Sequence, residues 1–467
     1  MDFRREPVSD LAEQVRSGKV AAREVVGHAL NEIDRLNGDL NAFVAVDAEA
    51  ALRNAEIIDD VVASGEDPGP LAGIPIGVKD LEDAAGFRTS YGSHGWADAP
   101  AAVTHSPLVD RLVSAGCVVI GKTNTPELGW KADTDNLVFG PTWNPWDRTR
   151  SPGGSSGGSA VAIAAGMVPL ATGSDGGGSI RIPSALCGLS GLKPSLGRVP
   201  SGGHEPPGWP GLSTKGPMAR TTEDVAYALD AVLGPDPTDL RSLPMPEPSW
   251  TGALIEPHVP MSIAWSPTLG YAPVDAEILS VCEHAVGVLS DGGAQVIEVQ
   301  TVFEEDPVFT WLNMTNTFLA RTVEQFRGTP VWEKLDPGLR ESADHGVKVS
   351  GIKLARAIDE CHRLNLRLVK LFHDVRLLIT PTVAAPAPVF GRPGEINGTE
   401  DLNWVRFTYP FNLTSSPAGT VCAGFTPSGL PVGLQLIGPQ HGDLVVLRAM
   451  AAVEAALDLG GRLLCPQ

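Results

Sequence analysis

Apolar residues recur at helical spacing along the first 60 residues, and polar side chains fill the positions between them. Ser9 is the expected N-cap of the first helix, because its hydroxyl can accept a hydrogen bond from the first turn. Gly18 and the pair Asn37–Gly38 are expected to divide the segment, since both interrupt the apolar pattern. The pattern therefore predicts two or three helices over residues 1–60.

After Leu71, short β-branched runs alternate with longer amphipathic segments. The expected strands are 74–78, 118–120, 296–299 and 377–379. The expected helices are 107–115, 221–233, 275–293, 353–372 and 443–457. Strands that alternate with helices predict an α/β fold in which helices cover both faces of a sheet. Because the chain shows no internal repeat and no obvious linker, we expect one large domain over residues 1–467.

Composition and charge narrow the classes of function. The net charge of −20 argues against a nucleic-acid partner, since affinity for phosphate backbones comes largely from Lys and Arg. The six cysteines form no Cys-x-x-Cys pair and are too sparse for a disulfide scaffold. The longest uncharged apolar stretch, 160–171, is far shorter than the roughly 20 residues that a bilayer span needs. The start of the chain lacks the apolar core of a signal peptide, so we expect a cytoplasmic protein without membrane contact.

One stretch matches a nucleotide-binding pattern by its letters alone. Residues 116–123 read GCVVIGKT, which fits the P-loop pattern G-x-x-x-x-G-K-[ST]. A P-loop needs a flexible loop between its glycines and a helix that begins at the lysine. Here the middle residues form an apolar, strand-like run, and a turn at 124–126 follows the motif. The context therefore argues against phosphate binding at Lys122.

Residues 151–194 form the stretch richest in glycine and serine, with GGSSGGS at 153–159 and DGGGSIRIP at 175–183. A flexible linker has this composition, but it would not enclose an apolar run such as 160–167. The three glycines before Ser179 let successive backbone N–H groups turn toward one point, because no Cβ obstructs them. That is the geometry of an oxyanion hole, and a serine at the end of such a loop is a candidate nucleophile.

A serine hydroxyl needs a base, and the motifs leave two kinds of base open. None of the ten histidines lies within the Gly/Ser motifs, although the fold could still bring one near. Lys79 stands at the end of an apolar run that starts at Ile74. Burial there would disfavour its charged form and lower its pKa, whereas a solvated surface lysine would show the same sequence pattern.

Taken together, the motifs resemble the amidase signature family. They run in that family's order and, with the flanking helices, the resemblance covers almost the whole chain. The matching segments are GVKD at 77–80, GKTNTPE at 121–127, GGSSGGS at 153–159, GGSIRIP at 177–183, CGLSGLKP at 187–194, GPMART at 216–221 and GLPVGLQLIG at 429–438. The resemblance implies a large twisted mixed β-sheet covered by helices. It places the signature core at 71–225 and the rest of the same domain, with loops that form the substrate pocket, at 226–467.

The family resemblance also assigns roles to individual residues. It implies a triad in which Lys79 is the general base, Ser155 relays protons and Ser179 is the nucleophile, with a cis peptide bond before Ser155. Backbone N–H groups would form the oxyanion hole, and nearby side chains would support the site by hydrogen bonding. The implied oxyanion residues are Gly176, Gly177, Gly178 and Ser179, and the implied supporting residues are Ser156, Asp175 and Arg181. No metal and no organic cofactor is implied.

The implied activity is hydrolysis of carbon–nitrogen bonds in small linear amides through a seryl acyl-enzyme, releasing a carboxylic acid and an amine or ammonia. Members of the family often form dimers, so a homodimer is expected. One alternative is the glutaminase component of a tRNA-dependent amidotransferase complex. Another is a catalytically silent relative that only binds ligands, against which the intact Lys79, Ser155 and Ser179 argue.

One position departs from the commoner family pattern. Many members carry Ile, Val or Thr at the position of Gly176, so the glycine is expected to loosen the oxyanion loop and leave room beside the nucleophile. The triple-glycine form is similar to bacterial members that act on aryl amides and aminohexanoate oligomers, such as the cyclic-dimer hydrolases. Seven aromatic residues could line the acyl pocket or belong to the core, namely Trp130, Phe139, Trp143, Trp209, Phe309, Trp311 and Trp404.

Overall fold

The computed structural model describes residues 1–204, 206–254 and 258–465, and in these ranges the chain forms mixed β-sheets flanked by helices. The strands are β1 Phe43–Val46, β2 Pro75–Lys79, β3 Val118–Thr123, β4 Leu170–Asp175, β5 Gly191–Lys193, β6 Thr214–Ala219, β7 Ser262–Trp265, β8 Gln295–Glu298, β9 Leu377–Pro381, β10 Gly394–Ile396, β11 Thr399–Asp401, β12 Ala418–Phe425 and β13 Pro431–Ile437. Two large sheets have the orders β1-β3-β2-β4-β6 and β5-β12-β13-β9-β7-β8, and β10 pairs with β11 alone. An isolated antiparallel bridge between Ser190 and Ala219 links the two large sheets.

The helices surround these sheets. They are α1 Val8–Arg16, α2 Ala22–Leu40, α3 Ala48–Ser64, α4 Pro107–Ser114, α5 Gly157–Ala164, α6 Arg181–Cys187, α7 Thr222–Asp230, α8 Trp250–Ala253, α9 Ala276–Asp291, α10 Val308–Val323, α11 Pro337–Val347, α12 Gly351–Asp374, α13 Pro410–Leu413 and α14 Asp443–Leu457. Within the described ranges, no helix is both long enough and apolar enough to cross a membrane. The predicted α/β fold is confirmed, and each helix and strand predicted after Leu71 is present with bounds shifted by a few residues.

The predicted helical segment at the N-terminus needs two corrections, of which the first concerns its start. Helix α1 begins at Val8 with Pro7 as its N-cap, so Ser9 lies inside the helix and does not cap it. Proline fixes a backbone angle that suits the entry to a helix, and it has no N–H that needs a partner. The break predicted at Gly18 is confirmed, because this glycine has a φ of 69° just after α1.

The second correction concerns Asn37 and Gly38, which lie inside α2 and do not end it. The side chain of Asn37 accepts a hydrogen bond from the Phe43 N–H at 2.7 Å and donates one to the Phe43 carbonyl at 2.9 Å. The helix ends at Leu40, and the next residue, Asn41, adopts the left-handed conformation that stops it. The chain then enters β1, a strand that the helical spacing of this segment does not predict.

The central strands of both sheets lie inside the protein. Every residue of β2, β3, β9 and β13 is buried. Strands that are covered on both faces carry continuous apolar runs, which accounts for the pattern seen in the sequence. Because β2 ends with Lys79, the sheet places a lysine side chain in the protein interior.

We predict that shortening a side chain in the central strand β13 costs far more stability than the same change at the surface. Leu434 is completely buried in β13, whereas Leu240 is 98% exposed. Leu434→Ala should lower the free energy of unfolding by about 2–5 kcal/mol, and Leu240→Ala by less than about 0.5 kcal/mol. Urea unfolding of the two variants measures both values, and equal losses would contradict the placement of β13.

Candidate active site

Lys79 is the last residue of β2, which lies between β3 and β4 in the first sheet. Its backbone N–H donates a hydrogen bond to Thr172 Oγ1 of β4 at 2.9 Å, which fixes the end of the strand. The Nζ atom lies 2.8 Å from Ser155 Oγ, 2.9 Å from Ser156 Oγ and 3.0 Å from Ser174 Oγ. Three hydroxyl groups therefore surround one buried amine.

The surroundings of the Lys79 amine change its pKa. Burial lowers its pKa to about 7, although the carboxylates of Glu82 and Asp175 favour the charged form. A lysine with a pKa near neutrality is a base at the pH of most cells, because a large fraction of it is unprotonated. The alternative of a solvated surface lysine is excluded, since the side chain has no exposed area.

The serines of the first Gly/Ser motif are held against this amine. The peptide bond between Gly154 and Ser155 is cis, as the family resemblance implies. Both Ser155 and Ser156 are buried, and α5 begins directly after them. The Ser156 N–H donates a hydrogen bond to the Ser179 carbonyl at 3.2 Å, which brings the second Gly/Ser motif to the first.

Ser179 lies at the opening of this site. It is partly exposed, whereas Lys79 and Ser155 are buried. Among the described residues, no hydrogen bond joins the Ser179 hydroxyl to Ser155, so one of the two links of the implied relay is formed and the other is not. Catalytic hydrogen bonds often tighten only around a bound substrate.

The loop before Ser179 wraps around the carboxylate of Asp175. The Gly178 N–H donates to Asp175 Oδ1 at 2.7 Å, and the Ile180 N–H donates to Asp175 Oδ2 at 3.2 Å. Within the described residues, the N–H groups of Gly176, Gly177 and Ser179 have no hydrogen-bond partner. The loop thus presents three available donors, while the fourth holds the loop to Asp175.

Two tryptophan rings cover the glycines of this loop. A Cβ atom built on Gly176 would lie 2.5 Å from Trp209 Cε3, and one built on Gly177 would lie 2.6 Å from Trp311 Cζ2. A Cβ atom does not come this close to a non-bonded atom, so each ring occupies the space that a side chain would need. The expectation that Gly176 leaves the loop loose and the space open is therefore wrong, because Trp209 fills that space.

Asp175 forms a buried ion pair with Arg181, and both side chains have no exposed area. The contact is bidentate, with Arg181 Nη2 and Nε each 2.9 Å from a carboxylate oxygen. The remaining guanidinium protons reach Gln435 Oε1 at 2.6 Å, Asn412 Oδ1 at 2.8 Å and the Thr408 carbonyl at 2.9 Å. Burial alone would raise the pKa of Asp175, but the charge and hydrogen bonds of Arg181 hold that pKa well below its usual range.

The site brings together a buried lysine with a lowered pKa, a pair of serines, and a third serine beside backbone N–H groups that are available as donors. This arrangement suits acyl transfer. A protein-family model described as Amidase matches residues 24–447 of this chain. The chain belongs to the amidase family. The family resemblance drawn from the motifs is thus confirmed, and the protein is an amidase.

Individual relatives agree with this assignment. An acylamidase of Rhodococcus erythropolis is 36% identical to this amidase, over 96% of this chain and 94% of the relative. The structure of a bacterial aryl acylamidase of the amidase signature family superposes with a TM-score of 0.90 at 29% identity, covering 97% of this chain and 96% of the other. A 6-aminohexanoate cyclic dimer hydrolase superposes with a TM-score of 0.89 at 27% identity, covering 98% of each chain. One component of the glutamyl-tRNA(Gln) amidotransferase of Chromohalobacter salexigens is 32% identical over 97% of this chain and 96% of the relative.

The P-loop pattern of the amidase lies in the strand β3, as its context indicated. Lys122 is buried within that strand, where its Nζ lies 3.1 Å from Asp80 Oδ1 and donates to the Glu82 carbonyl at 2.7 Å. A Cβ on Gly121 would lie 2.0 Å from the Ala45 carbonyl oxygen, so this glycine permits strand pairing with β1. The motif stabilises the sheet and offers no loop for a phosphate.

Of the seven aromatic residues proposed for the acyl pocket, Trp209 and Trp311 contact the glycine loop before Ser179. Trp404 is almost fully buried beside Gly394, and Phe309 is 75% exposed on α10. Trp130 packs against Gly338, and Trp143 packs against Phe390. The remaining residue, Phe139, contributes its backbone carbonyl to a hydrogen bond with Asn41.

Sequence reasoning missed several residues of the site. Ser174 contacts Lys79 but stands one residue outside the recognised motif, next to Asp175. Thr408 and Asn412 reach the loop from a segment more than 200 residues away in sequence. No local pattern marks these two positions, although the sequence Thr-Tyr-Pro-Phe-Asn at 408–412 is dense in side chains that can bond or stack. In the described ranges, no cluster of three or more His, Cys, Asp or Glu residues is placed to hold a metal ion.

We predict that removing the charge of Asp175 is strongly destabilising. Asp175→Asn would leave the buried Arg181 charge uncompensated, at a cost of about 3–5 kcal/mol in the free energy of unfolding. A matched control is Asp39→Asn, because Asp39 pairs with Arg148 at 2.7 Å on the surface, where such pairs contribute less than about 1 kcal/mol. Denaturant unfolding of both variants is the measurement, and a loss at Asp175 no larger than at Asp39 would show that the buried pair is unimportant for stability.

Proposed function

We propose that this amidase hydrolyses small acyl amides through an acyl-enzyme on Ser179, with Ser155 as proton relay and Lys79 as general base. The observation that carries the proposal is the position of Lys79 Nζ, 2.8 Å from Ser155 Oγ in a fully buried site that lowers its pKa to about 7. With that pKa, a large fraction of the amine is neutral near pH 7, and this fraction can accept a proton from a serine. Ser179 lies at the adjoining loop, where backbone donors are available.

In the first half of the proposed reaction, the Ser179 oxygen attacks the amide carbonyl while its proton passes to Ser155, whose own proton passes to Lys79. The carbonyl oxygen becomes an oxyanion, which would accept hydrogen bonds from the N–H groups of Gly176, Gly177 and Ser179. The Gly178 N–H is the fourth oxyanion donor proposed from the sequence. It already donates to Asp175 Oδ1, so it would have to divide its hydrogen bond between Asp175 and the oxyanion. Proton return through Ser155 to the leaving nitrogen then allows the carbon–nitrogen bond to break, since an amide anion is a very poor leaving group.

In the second half, water attacks the acyl-enzyme and gives its proton to the same relay, and Ser179 is regenerated with release of the carboxylic acid. The three hydroxyls around Lys79 suit both of its protonation states. A charged ammonium donates to three acceptors, whereas the neutral amine donates to two and accepts from the third, because a serine hydroxyl can fill either role. Ser156 and Ser174 would thus hold the amine while Ser155 exchanges protons with it.

The proposed substrates are small linear amides, for which the names of the acylamidase and aryl acylamidase relatives give the first indication. The ring of Trp209 beside the loop offers an apolar surface for an acyl or aryl group. We propose a single catalytic domain over residues 1–467, which acts without metal or organic cofactor and without nucleic acid. The proposed setting is the cytoplasm, where the six free thiols would stay reduced, and the proposed assembly is a homodimer.

We predict that Ser179→Ala abolishes turnover and leaves the fold intact. The variant removes the nucleophile from a partly exposed position, so circular dichroism and the melting temperature should match the unsubstituted protein. The assay is a panel of acetanilides, nitroanilides, short aliphatic amides, aminohexanoate oligomers, aryl carbamates and glutamine. Residual activity above about one-hundredth would count against Ser179 as the nucleophile. Turnover of glutamine alone, dependent on an added partner, would favour the amidotransferase alternative.

A second prediction concerns pH. Only neutral Lys79 can accept a proton, so kcat/KM should rise with pH through the pKa of about 7 and level off about one unit above it. Below pH 6 the rate should fall about tenfold for each unit, because the neutral fraction falls by that factor. Initial rates from pH 5 to 9 provide the profile, with Lys79→Ala measured alongside. A rate that is flat or declines as the pH rises from 6 to 8 is incompatible with a lysine base.

A further inference from the structure

The carbonyl groups of the oxyanion loop are each held by a hydrogen bond. The Trp311 indole Nε1–H of α10 donates to the Gly176 carbonyl at 2.9 Å. The Thr408 hydroxyl donates to the Gly177 carbonyl at 2.5 Å, and the Ile182 N–H donates to the Gly178 carbonyl at 2.7 Å. Glycine backbone is otherwise free to rotate, so these bonds decide which way each peptide of the loop faces.

Fixing a carbonyl also fixes the N–H that follows it. In a trans peptide, the C=O of one residue and the N–H of the next point in opposite directions within one plane. The bond from Trp311 to the Gly176 carbonyl therefore sets the direction of the Gly177 N–H, which is one of the donors without a protein partner among the described residues. The bond from Trp311 can be removed by a single conservative substitution, because phenylalanine keeps an aromatic ring but has no N–H.

Trp311 is itself held in position by neighbours on two sides. Its ring stacks on Tyr409, with centroids 5.5 Å apart and an angle of 25° between the rings. The edge contact with Trp209 has centroids 5.9 Å apart and an angle of 77°. The ring also lies where a side chain at Gly177 would be, so it limits the loop by contact as well as by hydrogen bonding.

We propose that Trp311 is a positioning residue for hydrolysis, and that its indole N–H aligns the Gly177 N–H with the oxyanion of the transition state. The proposal rests on the proposed function for its kinetic consequence. Its structural part, the ordering of the loop, stands independently of what the substrate is. Preorganised donors lower the barrier because they do not have to reorient as charge develops on the oxygen.

The test is Trp311→Phe, which keeps an aromatic ring for Tyr409 and removes the N–H donor. Trp146→Phe is the matched control, because the Trp146 Nε1–H donates to the Cys187 carbonyl at 3.0 Å from a similarly half-buried ring outside the site. Both variants should lose comparable stability, within a few degrees of melting temperature. On the best substrate of the panel, Trp311→Phe should lower kcat roughly tenfold with little change in KM, since the loss falls on the transition state.

A second measurement does not depend on turnover. Amide hydrogen exchange over 176–181, read by mass spectrometry, should be at least about threefold faster in Trp311→Phe than in Trp146→Phe, because the loop opens more readily. Equal exchange and equal kcat in the two variants would overturn the proposal, as would a change confined to KM. If the unsubstituted protein hydrolyses no member of the panel, the proposed function fails, and the exchange comparison still decides whether Trp311 orders the loop.

Discussion

The buried ion pair between Asp175 and Arg181 is the interaction on which the site depends. Removing two charges from water costs several kcal/mol for each ion, and only close, fully hydrogen-bonded partners offset that cost. Here the partners are complete, because Asn412 and Gln435 bind the guanidinium protons that Asp175 leaves free. Asn412 also donates to the Asp175 carbonyl at 2.8 Å. The pair thus joins the end of β4, the start of α6, the short helix α13 and the strand β13 at one point.

This pair also shapes the loop between its two members. The Asp175 carboxylate accepts N–H groups from Gly178 and Ile180, so the chain must curl around it before it reaches Arg181. The glycines of this loop stay buried, and Ser179 is left partly exposed. Lys79 ends the neighbouring strand β2, where burial disfavours its charged form although the carboxylates of Glu82 and Asp175 favour it. The carboxylate of Asp175 therefore stays ionised and holds the backbone, while the lowered pKa of Lys79 suits the proton transfer proposed for it.

The sequence could predict the residues whose roles depend on neighbours in the chain. Lys79, the paired serines at 155 and 156, and the glycines before Ser179 lie in the motifs that carry the family resemblance, and the structure places Lys79 against both serines. The contacts of Thr408 and Trp311 with the loop could not be predicted, because they join backbone carbonyls more than 100 residues away in sequence, which have no sequence signal. The same limit explains the error at Gly176, since no local pattern shows that a ring from position 209 fills its space. The error at Asn37 has a different origin, because the side chain of Asn37 bonds the Phe43 backbone from inside the helix and the left-handed residue is Asn41.

The packing at Gly176 shows why this loop contains a run of glycines. A glycine in a loop permits many backbone conformations, so three glycines alone would leave the loop poorly ordered. In this amidase the indole rings of Trp209 and Trp311 pack on the loop. Hydrogen bonds from Trp311, Thr408 and Ile182 to its carbonyl groups restrain it further. The absent side chains allow that restraint, since a Cβ at Gly176 or Gly177 would exclude the ring that packs there. The glycines are therefore required for close packing of aromatic rings on the loop, and the resulting rigidity is what an oxyanion hole needs.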